Sequence, residues 1–270
     1  MPADTDHCNG HNATQAHQNS DIPGCDRCRD RPPLPFTFSF AFQPIVSASQ
    51  KKTVAYEALV RGINGEPAGT IFQHVNDDNL YQFDQACRVT AIKKAVEIGL
   101  ADQDARLNLN FTPNAVYQPE LCIRTTLEAA RKYGFPLEKI VFEVTEGEEV
   151  KDKQHLVNII DAYKKMGFKT AIDDFGAGYS GLNLLADYEP DTIKLDRELI
   201  IDIHQHPRKQ AIIRGIIMVC EELNLELLAE GVELQEEYEW LRDQGIDLFQ
   251  GFYFARPGFE TLPEVSASQF

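Results

Sequence analysis

Apolar residues along this chain follow two alternating rhythms. In one they crowd into short runs rich in Val, Ile, Leu and Phe, at 38–45, 53–60, 106–111, 139–144, 169–173, 191–195, 225–229 and 247–254. Such runs predict strands. In the other rhythm apolar positions recur three or four residues apart. The stretch from Phe83 to Gly99 carries Ala86, Val89, Ile92, Ala95 and Val96 on one helical face, and 121–134, 156–167, 210–223 and 235–245 follow the same spacing. Gly99, Gly134, Gly167 and Gly245 stand where these helices should stop.

Strands separated mainly by helices predict a (β/α)8 barrel, for which ~250 residues is the usual size. The first two strands lie close together around Ala48 to Lys52 and read as a hairpin, so a purely parallel barrel is the weaker expectation. The final helix is short or missing. An open doubly wound sheet is the rival architecture. Residues 1–35 break both rhythms: they are rich in Asp, Asn, His, Gln and Pro and end at the stiff spacer Pro32-Pro33-Leu34-Pro35. A polar, disordered tail over 1–35 and one folded domain over 36–270 are therefore expected.

Composition narrows the class. Of 270 residues 43% are apolar and 25% charged, which is ordinary for a globular domain. The formal charge is −16, from 26 Lys+Arg against 42 Asp+Glu, and this argues against a nucleic-acid binder working by a general basic surface. No apolar run approaches the ~20 residues of a membrane span, and the first thirty residues hold no apolar signal core. A cytoplasmic protein without membrane or nucleic-acid partners is the expectation. Cys87, Cys122 and Cys220 lie singly in helix-like segments and read as small core residues. In the tail, Cys8-x2-His11 and Cys25-x2-Cys28 resemble a four-ligand zinc arrangement, but little apolar chain surrounds them. A metal site and incidental cysteines both remain open there.

The chemistry concentrates at strand ends. Glu57, Asn110, Glu143, the pair Asp173-Asp174, Lys194, Glu230 and Gln250 sit at or near the C-terminal ends of separate strands, with apolar neighbours. A charge in an apolar strand is costly unless paired or bound to metal. In a barrel those ends converge on the face that carries catalytic groups. Carboxylates gathered there must hold protons or a cation. All-oxygen donors suit Mg2+, Mn2+ or Ca2+, and the lack of His at these positions argues against zinc. Asp173-Asp174 could bridge two ions, the usual apparatus for in-line attack on a phosphodiester. His155, His204 and His206 read as surface residues and Trp240 as core.

Two motifs compete. Asp174-Phe175-Gly176 matches the metal-binding triplet of kinases, but no His-Arg-Asp loop or preceding Gly-rich loop accompanies it. Gly176-Ala177-Gly178-Tyr179-Ser180-Gly181 matches a dinucleotide fingerprint, with Asp196 after the next strand as a ribose acid. Asp173 and Asp174 directly before that loop would repel a pyrophosphate. These glycines read better as a mobile loop over a metal site.

Ordered motifs from about 38 to 262 resemble the EAL-domain cyclic-di-GMP phosphodiesterases. They are Phe42-Gln43-Pro44-Ile45-Val46, Glu57-Ala58-Leu59-Val60-Arg61, Leu107-Asn108-Leu109-Asn110, Glu143-Val144-Thr145-Glu146, Asp173-Asp174-Phe175-Gly176-Ala177-Gly178-Tyr179-Ser180, Ile193-Lys194-Leu195-Asp196, Ala229-Glu230-Gly231-Val232-Glu233 and Gln250-Gly251-Phe252. The short stretch after Arg61 resembles the EAL halves of some blue-light photoreceptors. The resemblance implies a TIM-like (β/α)8 barrel with an antiparallel first strand. It implies hydrolysis of cyclic-di-GMP to linear pGpG with Mg2+ or Mn2+, as two ions. By motif, Glu57, Asn110, Glu143 and Asp173 are metal ligands, and Asp173 bridges to a second ion that Asp174 also holds. Lys194 and Glu230 orient and activate water, and Gln250 supports them. Gln43, Leu59 and Arg61 hold substrate. Glu146 anchors the Gly-rich loop and Glu233 is a further support. The departures are Gly62 for a common Trp, Ala177 for Thr and Gly181 for Ser. A homodimer is implied by relatives. The alternatives are a silent cyclic-di-GMP receptor or partner-binding regulator on the same barrel, and a dinucleotide oxidoreductase.

Overall fold

A computed structural model of the chain describes residues 33–116, 118–145, 153–177 and 181–270. Glu146, Gly178 to Ser180 and the tail residues Cys8, His11, Cys25 and Cys28 lie outside the described residues.

The chain opens with a hairpin. Strand β1 (Ser39–Ser47) runs antiparallel to β2 (Lys52–Arg61), with Gln43 opposite Glu57. From β2 onward every neighbour is parallel: β3 (Arg106–Asn110), β4 (Ile140–Thr145), β5 (Lys169–Phe175), β6 (Thr192–Leu195), β7 (Glu226–Ala229) and β8 (Leu248–Phe249). Strand β8 then pairs antiparallel with β1 and closes the barrel. A short outer strand, β9 (Gly258–Phe259), adds to the other part of β1. The expected barrel with a reversed first strand is thus what forms, and the open sheet is excluded by the β8–β1 pairing.

Helices fill the crossovers. They are α1 (Ala68–Phe72), α2 (Leu80–Glu97), α3 (Pro119–Tyr133), α4 (Lys153–Lys165), α5 (Gly181–Asp187), α6 (Arg197–Ile200), α7 (Pro207–Leu223) and α8 (Gln235–Asp243). Pro207 opens α7 three residues before the periodicity predicts, because a proline at the first helical position loses no hydrogen bond. Gly134 ends α3 with φ +78°, a left-handed turn in which its amide still bonds Ala130.

Alternation along the strands divides the side chains. Leu107, Leu109, Phe142, Val144, Ile172, Ile193 and Leu195 are buried in the main core, between barrel and helices. Their polar neighbours turn into the barrel. Behind β3 and β4, Arg88 of α2 is fully buried and pairs with Asp84 at 2.6 Å. Its guanidinium also bonds the Tyr163 hydroxyl of α4 and lies 5.5 Å from the centre of the Phe142 ring. Asp84 accepts from the backbone of Thr112 at 3.0 Å, which ties α2 to the chain leaving β3. Both members thus make further hydrogen bonds, though Arg88 Nε has no partner, and such added bonds are what lets a buried ion pair be tolerated.

The last predicted strand, 247–254, is cut short after Phe249. A side chain at Gly251 would be built into the backbone of Val232, and the amide of Val232 bonds the Gln250 carbonyl at 3.0 Å. That close approach turns the chain away. Cys122 and Cys220 are buried and Cys87 half-buried. His155 is half-buried rather than on the surface, bonded to the Val116 carbonyl. Trp240 is half-buried against the core, with Arg214 over its ring.

Candidate active site

Closure of the barrel brings the strand-end residues together around one ammonium. Lys194 Nζ lies 2.6 Å from Glu230, 2.9 Å from Glu143, 2.9 Å from Asp173 and 3.4 Å from Glu57. Its side chain is 1% exposed. Burial pulls the ammonium toward neutrality, but the summed attraction of Asp173, Glu143, Glu230 and Glu57 overrides it and holds the pKa well above the ordinary value. Lys194 is therefore a fixed positive charge.

One ammonium does not balance the acids. Glu57, Glu143, Asp173, Asp174 and Glu230 are five carboxylates against a single cation. Burial, with Glu57 and Asp173 adding repulsion against the pull of Lys194, pushes Glu143 up to about 8. Glu230 is raised well above its ordinary range by burial, again opposed by Lys194 and aided by Asp173 and Glu57. Asp174 is pushed up to about 6 by burial and by the neighbouring Asp173 and Asp196. Such a set takes up either protons or a harder cation.

Two overlapping clusters have the geometry for a metal ion. Ligand oxygens of Glu57, Glu143 and Asp173 lie within 4.8 Å of one another, and so do those of Asp173, Asp174 and Glu230. Asp173 is common to both. The donors are all oxygen, and the buried Oε1 of Gln250 has no hydrogen-bond partner, which fits a hard divalent ion. The same Gln250 donates through Nε2 to Glu57 at 2.8 Å, and Asn110 donates to the other Glu57 oxygen at 2.9 Å. Glu57 is thus held from both sides.

Adjacent residues on a strand normally face opposite ways. Asp173 and Asp174 escape that rule because the β5–β6 pairing shifts register between Ile172 and Phe175. Asp174 also adopts φ +54°, uncommon for any residue but glycine. Local strain of this kind, at the edge of a cluster of acids, turns a second carboxylate toward the same mouth.

A cavity of about 340 Å3 opens over the acids. Gln43, Glu57, Asp174, Glu230, Glu233 and Gln250 line it, whereas Leu59, Arg61, Asn110, Glu143, Asp173 and Lys194 are not among its lining residues. Gln43 is buried and donates to the Ala255 carbonyl at 3.3 Å. Arg61 is half-buried near the end of β2, where burial lowers its pKa against the pull of Glu57, and its guanidinium bonds the Val60 carbonyl. Leu59 is half-buried on the same strand. Glu233 pairs with Arg197 at 3.0 Å on the cavity wall.

Several site residues carry no role in the sequence reading. Asn108 donates to Glu143 Oε1 at 2.6 Å. It is two residues from Asn110, so strand alternation alone places both on the inner face. Arg197 and Phe252 line the cavity, and Arg256 stacks on the Phe252 ring at 4.1 Å from its centre. Phe252 belongs to the Gln250-Gly251-Phe252 motif without an assigned role, and no sequence signal marks Arg197 or Arg256.

Known proteins share this arrangement. The profile of the EAL domain matches residues 36–257. A standalone versatile EAL protein from Vibrio cholerae O395, solved with c-di-GMP bound, is 52% identical, with a TM-score of 0.84 over 87% of this chain and 98% of that one. BlrP1 of Klebsiella pneumoniae, solved as a manganese and cyclic-diGMP complex, is 36% identical, with a TM-score of 0.79 over 87% of this chain and 59% of that one. The blue light- and temperature-regulated antirepressor BluF of Escherichia coli (strain K12) is 32% identical over 84% of this chain. This chain spans only 56% of the length of BluF. Among the described residues no helix is long and apolar enough to cross a membrane.

Proposed function

Because the chain belongs to the EAL domain family, we propose that it is a divalent-metal-dependent phosphodiesterase that hydrolyses cyclic-di-GMP to linear pGpG. The observation that carries this reading is the convergence of four carboxylates on Lys194, with a fifth, Asp174, clustered beside Asp173 and Glu230. Five negative charges and one positive leave four unbalanced, the charge of two divalent ions. A substrate with two phosphodiester anions enters such a field only when cations invert it.

Glu57, Asn110, Glu143 and Asp173 would hold one ion, and Asp173 with Asp174 a second. Mg2+ or Mn2+ suits this oxygen set. When bound, the ions would polarise the phosphodiester and lower the pKa of water. The chain's own groups do the rest. Glu230 takes the proton from the attacking water. Lys194 holds Glu230 at 2.6 Å and adds fixed positive charge where negative charge develops on phosphorus. Gln250 keeps Glu57 aimed inward. Arg61 makes a forked contact to a phosphate, while Gln43 and Leu59 seat the nucleotide beside it. Water adds to one phosphorus, one P–O bond breaks, and the departing sugar oxygen is protonated. Glu233, through Arg197, steadies the cavity wall, and Glu146 anchors the Gly-rich loop.

The test is incubation of the purified chain with cyclic-di-GMP, with and without chelator, followed by product chromatography. Linear product that vanishes with chelator and with Glu57→Ala supports the reading. Unchanged turnover in both Glu57→Ala and Lys194→Ala overturns the assigned site. A regulator that binds nucleotide without cleaving it draws support from the relative named as an antirepressor. Binding with no product at any Mg2+ or Mn2+ level would favour it.

We also propose a cytoplasmic homodimer, with the folded unit starting near Phe36. Exposed Ile212 (51%) and Met218 (65%) on α7 support self-association. Light scattering on the full chain reads it directly.

A further inference from the structure

A second and larger cavity, of about 440 Å3, opens at the opposite end of the barrel, where the parallel strands begin. Its lining is mixed, and Ile45, Ala55, Val141 and Leu228 form part of its apolar wall. Ile45, Ala55 and Leu228 form a small apolar cluster of their own, apart from the main core. Asn108 lines this cavity from above and is 6% exposed. Its Nδ2 is committed to Glu143, and its Oδ1 is buried with no hydrogen-bond partner. An acceptor in that state favours any donor brought to it.

The mouth of this cavity carries charge. Arg106 and Lys169 share one carboxylate, Glu226, at 3.9 and 4.0 Å. Lys52, Asp104, Lys139 and Asp247, also at this mouth, are already engaged. Lys52 pairs with Asp104 at 2.8 Å, Lys139 donates to the carbonyls of Ala101 and Gln103, and Asp247 accepts from Ser47 and Ser49. Glu138 and Glu221 also line the cavity but stand outside the strands. Arg106 and Lys169 are held only at long range by Glu226, which also accepts from Thr192 at 3.3 Å, so this side of the acid-and-base-lined mouth can take an anionic head group. Arg106 and Asn108 are two residues apart on β3, so head and roof are separated by roughly 7 Å along the strand.

We propose that the base of the barrel binds a small amphipathic monocarboxylate. Its carboxylate sits on Arg106 and Lys169, its body lies against Ile45, Ala55 and Leu228, and a hydroxyl at its far end donates to Asn108 Oδ1. The site meets the phosphodiesterase machinery only through Asn108, which donates to Glu143, and its binding is read in chelator without turnover.

The probe is 4-hydroxybenzoate, whose rigid ring sets hydroxyl and carboxylate about that far apart. Isothermal titration calorimetry on the full chain in chelator should show one site. Benzoate, which lacks the donor, should bind about tenfold more weakly. Lys169→Met should weaken 4-hydroxybenzoate by ~10-fold, and Ala55→Leu, which fills the cavity, should abolish binding with folding retained by circular dichroism. No binding up to ~10 mM, or an affinity indifferent to both Lys169→Met and Ala55→Leu, overturns the proposal.

Discussion

At the C-terminal ends of the strands four carboxylates surround one ammonium with a fifth beside them, whereas at the N-terminal ends Arg106 and Lys169 share Glu226 beside a partly apolar cavity. The same strands build both ends. On β5 the inner face steps from Lys169 through Ala171 to Asp173, and on β3 from Arg106 through Asn108 to Asn110. Two residues per step carry the lining of β5 from a cation through a small residue to an acid, and that of β3 from a cation to two amides. The acidic end is crowded with charges that repel and have lost water. The basic end is loosely paired and incompletely filled. Groups held in an unfavourable state are the ones a ligand can relieve, and here the two ends ask for ligands of opposite sign.

The comparison breaks most visibly at Lys194. Lys194→Ala leaves the acids without their one buried cation, and turnover of cyclic-di-GMP should fall by about 1,000-fold in a chromatographic product assay. A loss under about tenfold would mean that the ammonium is a spectator. Next comes Gly251→Ala. The added methyl meets the Val232 backbone, which cannot yield as a side chain could, so unfolding in urea should show roughly 1–3 kcal/mol of destabilisation. Because Gln250 is its neighbour and holds Glu57, turnover should fall with it.

A gentler test uses pH. Without metal, Glu143 sits up at about 8 and Asp174 at about 6, both above their unfolded values. The folded chain then binds more protons than the unfolded one across about pH 4–8, so stability is greatest at the acid side and declines as pH rises through that window. Calorimetric Tm in chelator should drop from about pH 5 to about pH 8, and added Mn2+ should restore most at the alkaline side. A Tm that climbs over that range contradicts the crowding of acids. The smallest effect belongs to the other end. Ala55→Leu places extra apolar volume in the empty base, so Tm should hold or rise and turnover should stay within about twofold. A large loss of turnover from that change would show that the two ends are not separable.

Much of this was legible along the chain. The strand and helix rhythms recover β1 to β7 and the long helices, because burial of one face imposes a local period. The short elements α1, α5 and α6 escape that reading, being too brief for a period to show. Acids and amides amid apolar neighbours mark Glu57, Asn110, Glu143, Asp173 and Glu230, since polar groups persist inside strands only where something compensates them. Asn108 was equally visible by alternation with Asn110, yet its task is defined by Glu143 on the next strand. The strand predicted to run to residue 254 failed because Val232, far off in sequence, occupies the space beside Gly251.

Residue types and their spacing along single strands determined the alternating architecture, the acidic character of one strand end and the chemistry it can host. Which carboxylates share Lys194, how Asp173 and Asp174 come to face one mouth, and where the lining is left unfilled were decided only when β8 closed on β1. Period is a property of neighbours in the chain, and any short window displays it. Distances across a barrel depend on the register of every strand at once, which no window contains.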